Sequence, residues 1–420
     1  MSSELKRSRI IAASVCAAFV AACGASTGAA EPTRRAVCTP AETQVVIGGA
    51  GVCFSTVDDD KDSIPDQLED VLLKRYRPYY RFSQDGGQES FLPAGAIWYI
   101  QHSDLIVNGP EDSDVAMPRT MLAQHPELLL SGFSLDKASL IRPALKHSDL
   151  LRNPRRTDWH INIYNDYRHG EPLFDALFRK NVGLYGHVTR LGGDYLVEYW
   201  QFFAFNTPDK VGDFGDHEGD WCTVQLQVNP SDIGDEIRTV THFMHGLHQS
   251  FHLGLPHRTF APRPLAPDLQ VEELQGQNFS RDFEAFAVGA SASPHMNDNI
   301  LRLVKSNDPG DDFLHPAVYI ENGTHEFWPS EYGSFEAMPR HGGDGYRFLT
   351  APPPNLGEVE HPRTPLSGVI LLYNGRWGAF SRSLGSFDTS PPPGPALHLE
   401  WHWPTGSALR ARIPSSDFEH

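Results

Sequence analysis

Two strand-like runs joined by a Gly-Gly pair constrain the fold of this chain more than any other feature. Residues 184–191 and 194–205 have the composition of β-strands, and Gly192-Gly193 between them is typical of a tight hairpin. The second run is dense in aromatic residues, which favours a strand near the centre of a sheet. The sequence therefore predicts an antiparallel hairpin inside a mainly β protein.

A further strand follows a stretch rich in acidic residues. Residues 221–228 alternate between apolar and polar, which predicts a half-buried strand. Asp220 lies on the side of Cys222, towards the interior, and His217 is close by in sequence. A carboxylate at the rim of a core needs a partner, and a cation is the obvious one.

Asp220, His217 and Cys222 are therefore candidate ligands of a divalent metal in a cleft. A thiolate ligand favours Zn²⁺, whereas oxygen ligands alone favour Mg²⁺ or Ca²⁺. The alternative is that Asp216 and Asp220 only cap a tight loop and that His217 is structural.

The densest acidic run lies near the N-terminus. Residues 58–69 place acids at positions one, three, five, nine and twelve, the spacing of a calcium loop. The predicted Ca²⁺ ligands are five carboxylates and one main-chain carbonyl: Asp58, Asp60, Asp62, Asp66, Glu69 and the carbonyl of Ile64. The run resembles EF-hand loops and, more closely, those of thrombospondin type 3 repeats.

One position departs from that pattern. Ser63 occupies the sixth position, where glycine is usual because the turn is sharp. We expect Ca²⁺ here in a structural role. The alternative is an acidic N-terminus of the helix predicted over residues 66–75, favoured by the helix dipole.

The first residues are typical of an export signal. Basic residues precede an apolar stretch over residues 10–22 that is too short to span a bilayer comfortably. Residues 20–23, Val-Ala-Ala-Cys, resemble a bacterial lipobox, in which Cys23 is lipidated. This implies an exported lipoprotein, anchored to a bacterial membrane and facing the periplasm or the cell surface. The alternative is an ordinary signal peptide cleaved near Ala22 or after Ala25.

Cysteine usage agrees with export. If Cys16 leaves with the signal and Cys23 is lipidated, three cysteines remain. Cys38 and Cys53 can close a disulfide in an oxidising compartment, which leaves Cys222 as the odd thiol. The formal charge of −18 argues against a nucleic acid as partner.

The organisation expected from these features is a signal peptide over 1–22, a flexible tether over 23–53, the calcium loop with its helix over 54–76, and a β-sandwich over 77–420. We expect residues 54–420 to form one globular unit. Many short alternating runs separated by Gly and Pro indicate an antiparallel β-sandwich with peripheral helices and long loops. Further strands are predicted at residues 79–82, 96–100, 239–245 and 317–320, whereas residues 103–160 indicate loop with short helices.

Histidines crowd residues 242–252. His248 and His252 have helical spacing, but no intervening glutamate supplies the base of a zinc protease, so a surface cluster is favoured. His325 follows a short strand on a turn, where a histidine is more often exposed. His245 and His325 are the candidate general acid or base if the protein is a hydrolase.

Short, ordered motifs over roughly residues 71–400 resemble the vacuolar protein sorting-associated protein 62 family. They are Arg77-Pro78-Tyr79 with Glu89 and Pro93, the aromatic strand, His217-x-Gly219-Asp220-Trp221, Gly323-Thr324-His325 and Gly375-Arg376-Trp377-Gly378. That family has no settled activity, so the resemblance implies a fold more than a reaction. It also implies that His245 lies in a histidine-glycine turn and that His325 faces the same cleft.

A more distant resemblance is to the necrosis-inducing, cytolysin-like proteins. Their His-x-His-Asp-Trp-Glu motif, with an Asp eight residues before it, binds a divalent metal in a β-sandwich cleft. Carried over, His217 and Asp220 match, and Asp209 has the required spacing. Cys222 stands where that family has Glu, and Gly219 replaces its second His.

These features lead to one functional hypothesis and two alternatives. The first is an exported, lipid-anchored protein whose metal-dependent cleft binds a polar surface ligand, a glycan or a lipid head group. The second is a metal-assisted hydrolase, and the third is a structural envelope protein. An open metal position within reach of a histidine would favour hydrolysis, and a closed site would favour binding or structure.

Overall fold

The computed structural model describes a mainly β protein. The residues it describes are 38–81, 93–108, 113–133, 158–163, 183–206, 217–232, 236–244, 247–252, 259–266, 269–275, 300–305, 313–321, 323, 325–329, 346–347, 353–379, 391–398 and 400–401. Within them the strands, in chain order, are β1 (Glu42–Ile47), β2 (Ala50–Ser55), β3 (Tyr79–Arg81), β4 (Ser103–Asn108), β5 (Ser113–Met117), β6 (Asp158–Ile163), β7 (Leu184–Leu191), β8 (Asp194–Asn206), β9 (His217–Val228), β10 (Ile237–Met244), β11 (Leu247–His252), β12 (Thr259–Ala266), β13 (Leu269–Gln275), β14 (Ile300–Lys305), β15 (Leu314–Ile320), β16 (Phe327–Trp328), β17 (Tyr346–Arg347), β18 (Gly357–Glu358) and β19 (His361–Pro362).

Within the described ranges, helices are few and short. They are α1 (Asp66–Arg75), α2 (Ala96–Gln101), α3 (Arg119–Leu122), α4 (Pro365–Leu372) and two 3-10 turns, Pro126–Leu130 and Pro395–Leu397. In the part of the chain that the structure describes, no helix has the length and apolar character needed to cross a bilayer.

The predicted hairpin lies in a five-stranded antiparallel sheet with the order β11-β10-β9-β8-β7. Strands β7 and β8 meet at Gly192, whose φ of 63° suits the tight turn. Almost every residue of β8 and β9 is buried. The prediction of a half-buried strand over 221–228 is therefore wrong: Thr223 and Gln225 are 1% and 2% exposed, because both faces of the sheet are covered.

Each face of this sheet has its own core. One face packs against a seven-stranded sheet. The core between these two sheets contains Val318 and Ile320 of β15 together with Val197 of β8 and Val224 of β9. Two sheets sharing a core form a sandwich. The other face packs against α2, α4 and a three-stranded sheet of order β5-β4-β6. The fold is thus made of several sheets that are antiparallel, apart from the parallel pairing of β15 with β3.

Two sequence predictions are wrong in this outer layer. Residues 96–100, predicted as a strand, form α2, whose Trp98, Tyr99 and Ile100 enter the core. A short apolar run fits a buried helix as well as a strand. Residues 103–160, predicted as loop with short helices, do contain the short helices α3 and Pro126–Leu130, but they also contain the strands β4, β5 and the start of β6, which the prediction missed.

The prediction of a flexible tether over 23–53 is wrong for its described end, because β1 and β2 form a hairpin there that contacts the central sheet. A disulfide between Cys38 and Cys53 ties the β1-β2 hairpin, and the amide of Gly48 donates to the carbonyl of Pro230 at 2.9 Å. At the end of α1, Arg75 forms two hydrogen bonds of 2.7 Å with the carboxylate of Glu236. These contacts hold the loop between β2 and α1 against the sandwich.

Candidate functional site

The acidic loop 58–69 brings its carboxylates together. One oxygen each from Asp58, Asp60 and Asp62 lies within 4.8 Å of the others, and the same holds for Asp60, Asp66 and Glu69. Asp60 belongs to both groups. All five carboxylates proposed from the spacing are therefore gathered around this residue.

Local backbone geometry explains how the loop curls. Lys61 and Ser63 adopt left-handed conformations, with φ of 62° and 73°. Ser63 thus tolerates the sharp turn for which glycine is usual at this position. The amide of Ser63 donates to Asp58 at 3.0 Å, and that of Ile64 donates to Asp62 at 2.6 Å. These bonds use one oxygen of each carboxylate.

Four further oxygens have no hydrogen-bond partner among the residues that the structure describes. They are buried, and they are Asp58 Oδ1, Asp60 Oδ1, Asp62 Oδ2 and Glu69 Oε1. A buried carboxylate oxygen without a donor or a cation is costly. The arrangement can therefore hold a hard cation, which prefers oxygen ligands of this kind.

The electrostatics of the loop agree with this. Burial raises the pKa of Asp60 to about 6 and that of Asp62 to about 7. Burial, followed by the neighbouring Asp60 and Asp62 carboxylates, raises the pKa of Glu69 to about 9. Bringing the acids together disfavours their charged forms, and a bound cation would reverse that effect.

Residues far away in sequence complete the surroundings of the loop. Arg363 forms ion pairs with Asp66 and, at 3.4 Å, with Glu69. The backbone at Gly357 passes close to the acidic loop, since a Cβ added to Gly357 would lie 3.2 Å from Cβ of Asp60. Neither residue follows from the spacing of the loop itself. The residues around Gly357 and Arg363 form no sequence motif that would have predicted a contact with the loop.

A buried histidine lies behind this region. His187 contacts Glu198 at 3.1 Å and Glu358 at 3.3 Å, and its ring stacks on Trp401 with centroids 4.4 Å apart. Burial disfavours the charged ring, but the two carboxylates outweigh burial and hold the pKa of His187 well above its ordinary value. Sequence reasoning missed this group because its members come from three distant segments.

The second predicted site, around Asp220, is a closed cluster. The thiol of Cys222 donates to Asp220 Oδ2 at 3.5 Å, and His325 Nδ1 lies 3.4 Å from the same oxygen. The His325 ring stacks on Phe203, with centroids 4.0 Å apart and planes 9° apart. Asp220 is 2% exposed and His325 is 0% exposed.

The expectation of an exposed turn histidine is therefore wrong for His325. Its φ of 58° turns the chain so that the ring is packed on Phe203. Burial, followed by the charge of Asp220, raises the pKa of Cys222 well above its ordinary value. Such a thiol stays protonated and is a poor nucleophile and a poor metal ligand.

His217 is engaged elsewhere. Its Nδ1 donates to the carbonyl of Gly219 at 2.7 Å. Among the described residues, the groups of three ligand side chains within 4.8 Å all lie in loop 58–69, so His217, Asp220 and Cys222 do not form one. The remaining predicted participants, Asp209, Asp216, His245 and the lipidated Cys23, lie outside the described residues.

Two glycines of the resemblance motifs serve packing. Gly219 has a φ of 69°, and an added Cβ would overlap the carbonyl of Trp377. Gly378 likewise leaves no room for a Cβ against the carbonyl of Glu218. The Glu218 carboxylate accepts from the amides of Ile163 at 3.3 Å and Ala379 at 3.1 Å. The motifs thus join distant segments through close backbone contacts.

The predicted surface cluster of histidines is wrong for two of its members. His242 and His248 are 0% and 2% exposed, and both lie on strands and not on a helix. His242 lies 3.3 Å from the carbonyl of Ala317, and burial lowers its pKa to about 3. A neutral, buried imidazole is typical of a structural histidine.

Comparison of the chain with models of protein families, with curated proteins and with solved structures found no significant match. The two family resemblances therefore stay predictions from the sequence motifs.

Proposed function

We propose that the protein is an exported, lipid-anchored binding protein that holds Ca²⁺ in loop 58–69. Its ligand is a polar group of a surface, a glycan or a lipid head group. The observation that carries this proposal is the set of buried carboxylate oxygens in the loop that have no hydrogen-bond partner in the described part of the chain.

The donor set suits Ca²⁺ in number and kind. Ca²⁺ takes about six to eight oxygen ligands in flexible geometry. Five carboxylates and the carbonyl of Ile64 offer enough oxygens, and none of the loop ligands is a thiol or an imidazole. One guanidinium, that of Arg363, offsets part of the negative charge, so a divalent cation still has a strong electrostatic reason to bind.

Binding is better supported than hydrolysis. A hydrolase needs a general acid or base that reaches the substrate. His325 and Asp220 are fully or almost fully buried, and the Cys222 thiol is neutral.

The test is a metal analysis of the purified mature protein, followed by a binding screen with and without chelator. The screen uses soluble oligosaccharides and vesicles of phosphatidylglycerol or phosphatidylethanolamine. The proposal expects copurified or tightly rebound Ca²⁺ and binding of at least one probe that chelator abolishes. Absence of calcium binding, or binding indifferent to chelator, contradicts it. Absence of any binding in the presence of bound calcium supports a structural envelope protein.

A further inference from the structure

A groove opens beside the calcium loop. It lies between hairpin β1-β2, loop 58–69 and the turns after β7 and β9, and its volume is 530 Å³. Ligand sites have volumes of roughly 300 to 1,000 Å³, so the groove can accommodate a small ligand.

One wall of the groove is the calcium loop itself. Asp58, Ser63 and Pro65 line the groove, and the amide of Ser63 donates to the Asp58 carboxylate at 3.0 Å. The second oxygen of Asp58 is one of the buried atoms without a partner. A cation that draws this oxygen inward would fix the position of the wall.

The remaining lining combines apolar residues with hydroxyl and amide groups. Thr43 and Gln44 come from β1, Thr56 follows β2, and Asn229 and Ser231 come from the turn after β9. Groups of this kind both donate and accept hydrogen bonds. They match the hydroxyl groups of a carbohydrate, which do the same.

The charges of the groove favour a neutral ligand. Arg190 and Asp58 are its charged lining residues, one of each sign. The guanidinium of Arg190 lies over the ring of Tyr195, 5.1 Å from its centroid, which restricts its orientation. The neighbouring loop carries six carboxylates, and the whole chain has a formal charge of −18, so an anionic ligand would be repelled.

We infer that this groove binds a neutral, hydroxyl-rich carbohydrate and that Ca²⁺ in loop 58–69 strengthens the binding by ordering the Asp58 to Pro65 wall. The inference rests on the proposed function and gives it a location and a ligand class. By linkage, the carbohydrate must then tighten Ca²⁺ binding by the same factor.

The test uses two matched tryptophan substitutions. Val46 lines the groove and is 40% exposed on β1, so Val46→Trp fills it. Val115 is 53% exposed on β5 of another sheet, so Val115→Trp is the control. Tryptophan is well tolerated on strands, which keeps both variants folded.

Calorimetry with neutral hexasaccharides of glucose, mannose and N-acetylglucosamine, in calcium and in chelator, measures the effect. We expect at least one sugar to bind in calcium, with an affinity about tenfold lower in chelator, as coupling of typical size would give. Val46→Trp abolishes the binding, and Val115→Trp leaves it unchanged. Vesicles carrying a neutral glycolipid, as a further arm, distinguish a free glycan from a head group.

Three results overturn the inference. They are failure of every sugar and of the glycolipid to bind in calcium, binding that Val46→Trp leaves intact, and equal affinity in chelator. If the protein instead binds phosphatidylglycerol vesicles in a calcium-dependent way and Val46→Trp does not change this binding, the groove is not the ligand site. The proposed function would still hold in that case. Failure of the loop to bind calcium would instead remove the proposed function.

Discussion

The guanidinium of Arg363 pairs with the carboxylate of Asp66 across a sequence separation of 297 residues. The pair connects the start of α1 to the segment that follows β19. The loop that we propose to bind calcium is thus fixed by a residue near the other end of the chain. The positive charge of Arg363 neutralises part of the carboxylate charge that a bound cation would otherwise neutralise.

Removing this guanidinium should therefore make the protein more dependent on calcium. We expect Arg363→Met to destabilise the calcium-free protein by about 2 kcal/mol, because Asp66 and Glu69 lose a charged partner. The stabilisation by calcium should grow, since the site becomes more negative. Chemical unfolding with and without calcium measures both effects. Equal calcium stabilisation in Arg363→Met and wild type contradicts this prediction.

Stability in the absence of calcium should fall as pH rises. The pKa values of Asp60, Asp62 and Glu69 are raised from 3.8, 3.8 and 4.5 to about 6, 7 and 9. A raised pKa means that folding favours the protonated acid, so its contribution to stability is complete below about pH 4. The contribution is lost progressively from there up to the folded-state pKa, which is about 6 for Asp60, 7 for Asp62 and 9 for Glu69. Calcium requires the ionised forms, so its effect on the melting temperature should increase over the same window.

Melting curves between pH 5 and 9, with calcium or with chelator, test this. The Asp60→Asn variant serves as control. It lacks one of the titrating groups, so its melting temperature without calcium should depend less on pH than that of the wild type. A calcium effect that is largest at pH 5 is the opposite of what we expect.

The close contact at Gly219 should make that glycine irreplaceable. An added Cβ overlaps the carbonyl of Trp377, and the φ of 69° is unfavourable for other residues. We expect Gly219→Ala to cost about 3 kcal/mol or more in the free energy of unfolding. Gly193 has nothing within 4 Å of an added Cβ, so Gly193→Ala is the matched control and should change stability little. Similar losses in the two variants would disprove the packing role.

The thiol of Cys222 should be inert in the folded protein. Cys222 is 7% exposed, and burial together with the negative charge of Asp220 keeps its thiol protonated by raising its pKa. We expect an aromatic disulfide reagent to modify Cys222 only after unfolding in guanidinium, even at pH 9. Rapid labelling of the native protein would instead indicate an accessible thiolate and would revive the metal-ligand role of Cys222.

Local patterns predicted the parts of the fold that depend on neighbouring residues. The hairpin around Gly192-Gly193, helix α1 and the convergence of the carboxylates in loop 58–69 all follow from spacing along the chain. The depth of burial does not, because it depends on which other layer covers a strand. For this reason Thr223 and Gln225 were expected at a surface and lie inside.

Contacts between distant segments were also beyond the reach of sequence patterns. His325 reaches Asp220 because the fold places the turn after β15 beside β9. Arg363 reaches Asp66 because the segment after β19 lies beside the start of α1. His325 itself adopts a left-handed conformation, which residues other than glycine rarely adopt, so the sequence did not predict the backbone that accompanies the burial of its ring. An aromatic run such as residues 96–100 has no periodicity that separates a helix from a strand.

The most direct test of the calcium site compares two neighbouring substitutions. Asp60 is 1% exposed and belongs to both carboxylate groups, whereas the exposed Asp59 belongs to neither. Calcium at about a hundred times its dissociation constant should stabilise the wild type and Asp59→Asn by about 2.7 kcal/mol. Asp60→Asn should lose most of that stabilisation in the same titration followed by thermal unfolding. Calcium binding by loop 58–69 is contradicted if calcium does not change the melting temperature of the wild type. It is also contradicted if calcium stabilises Asp60→Asn as much as the wild type.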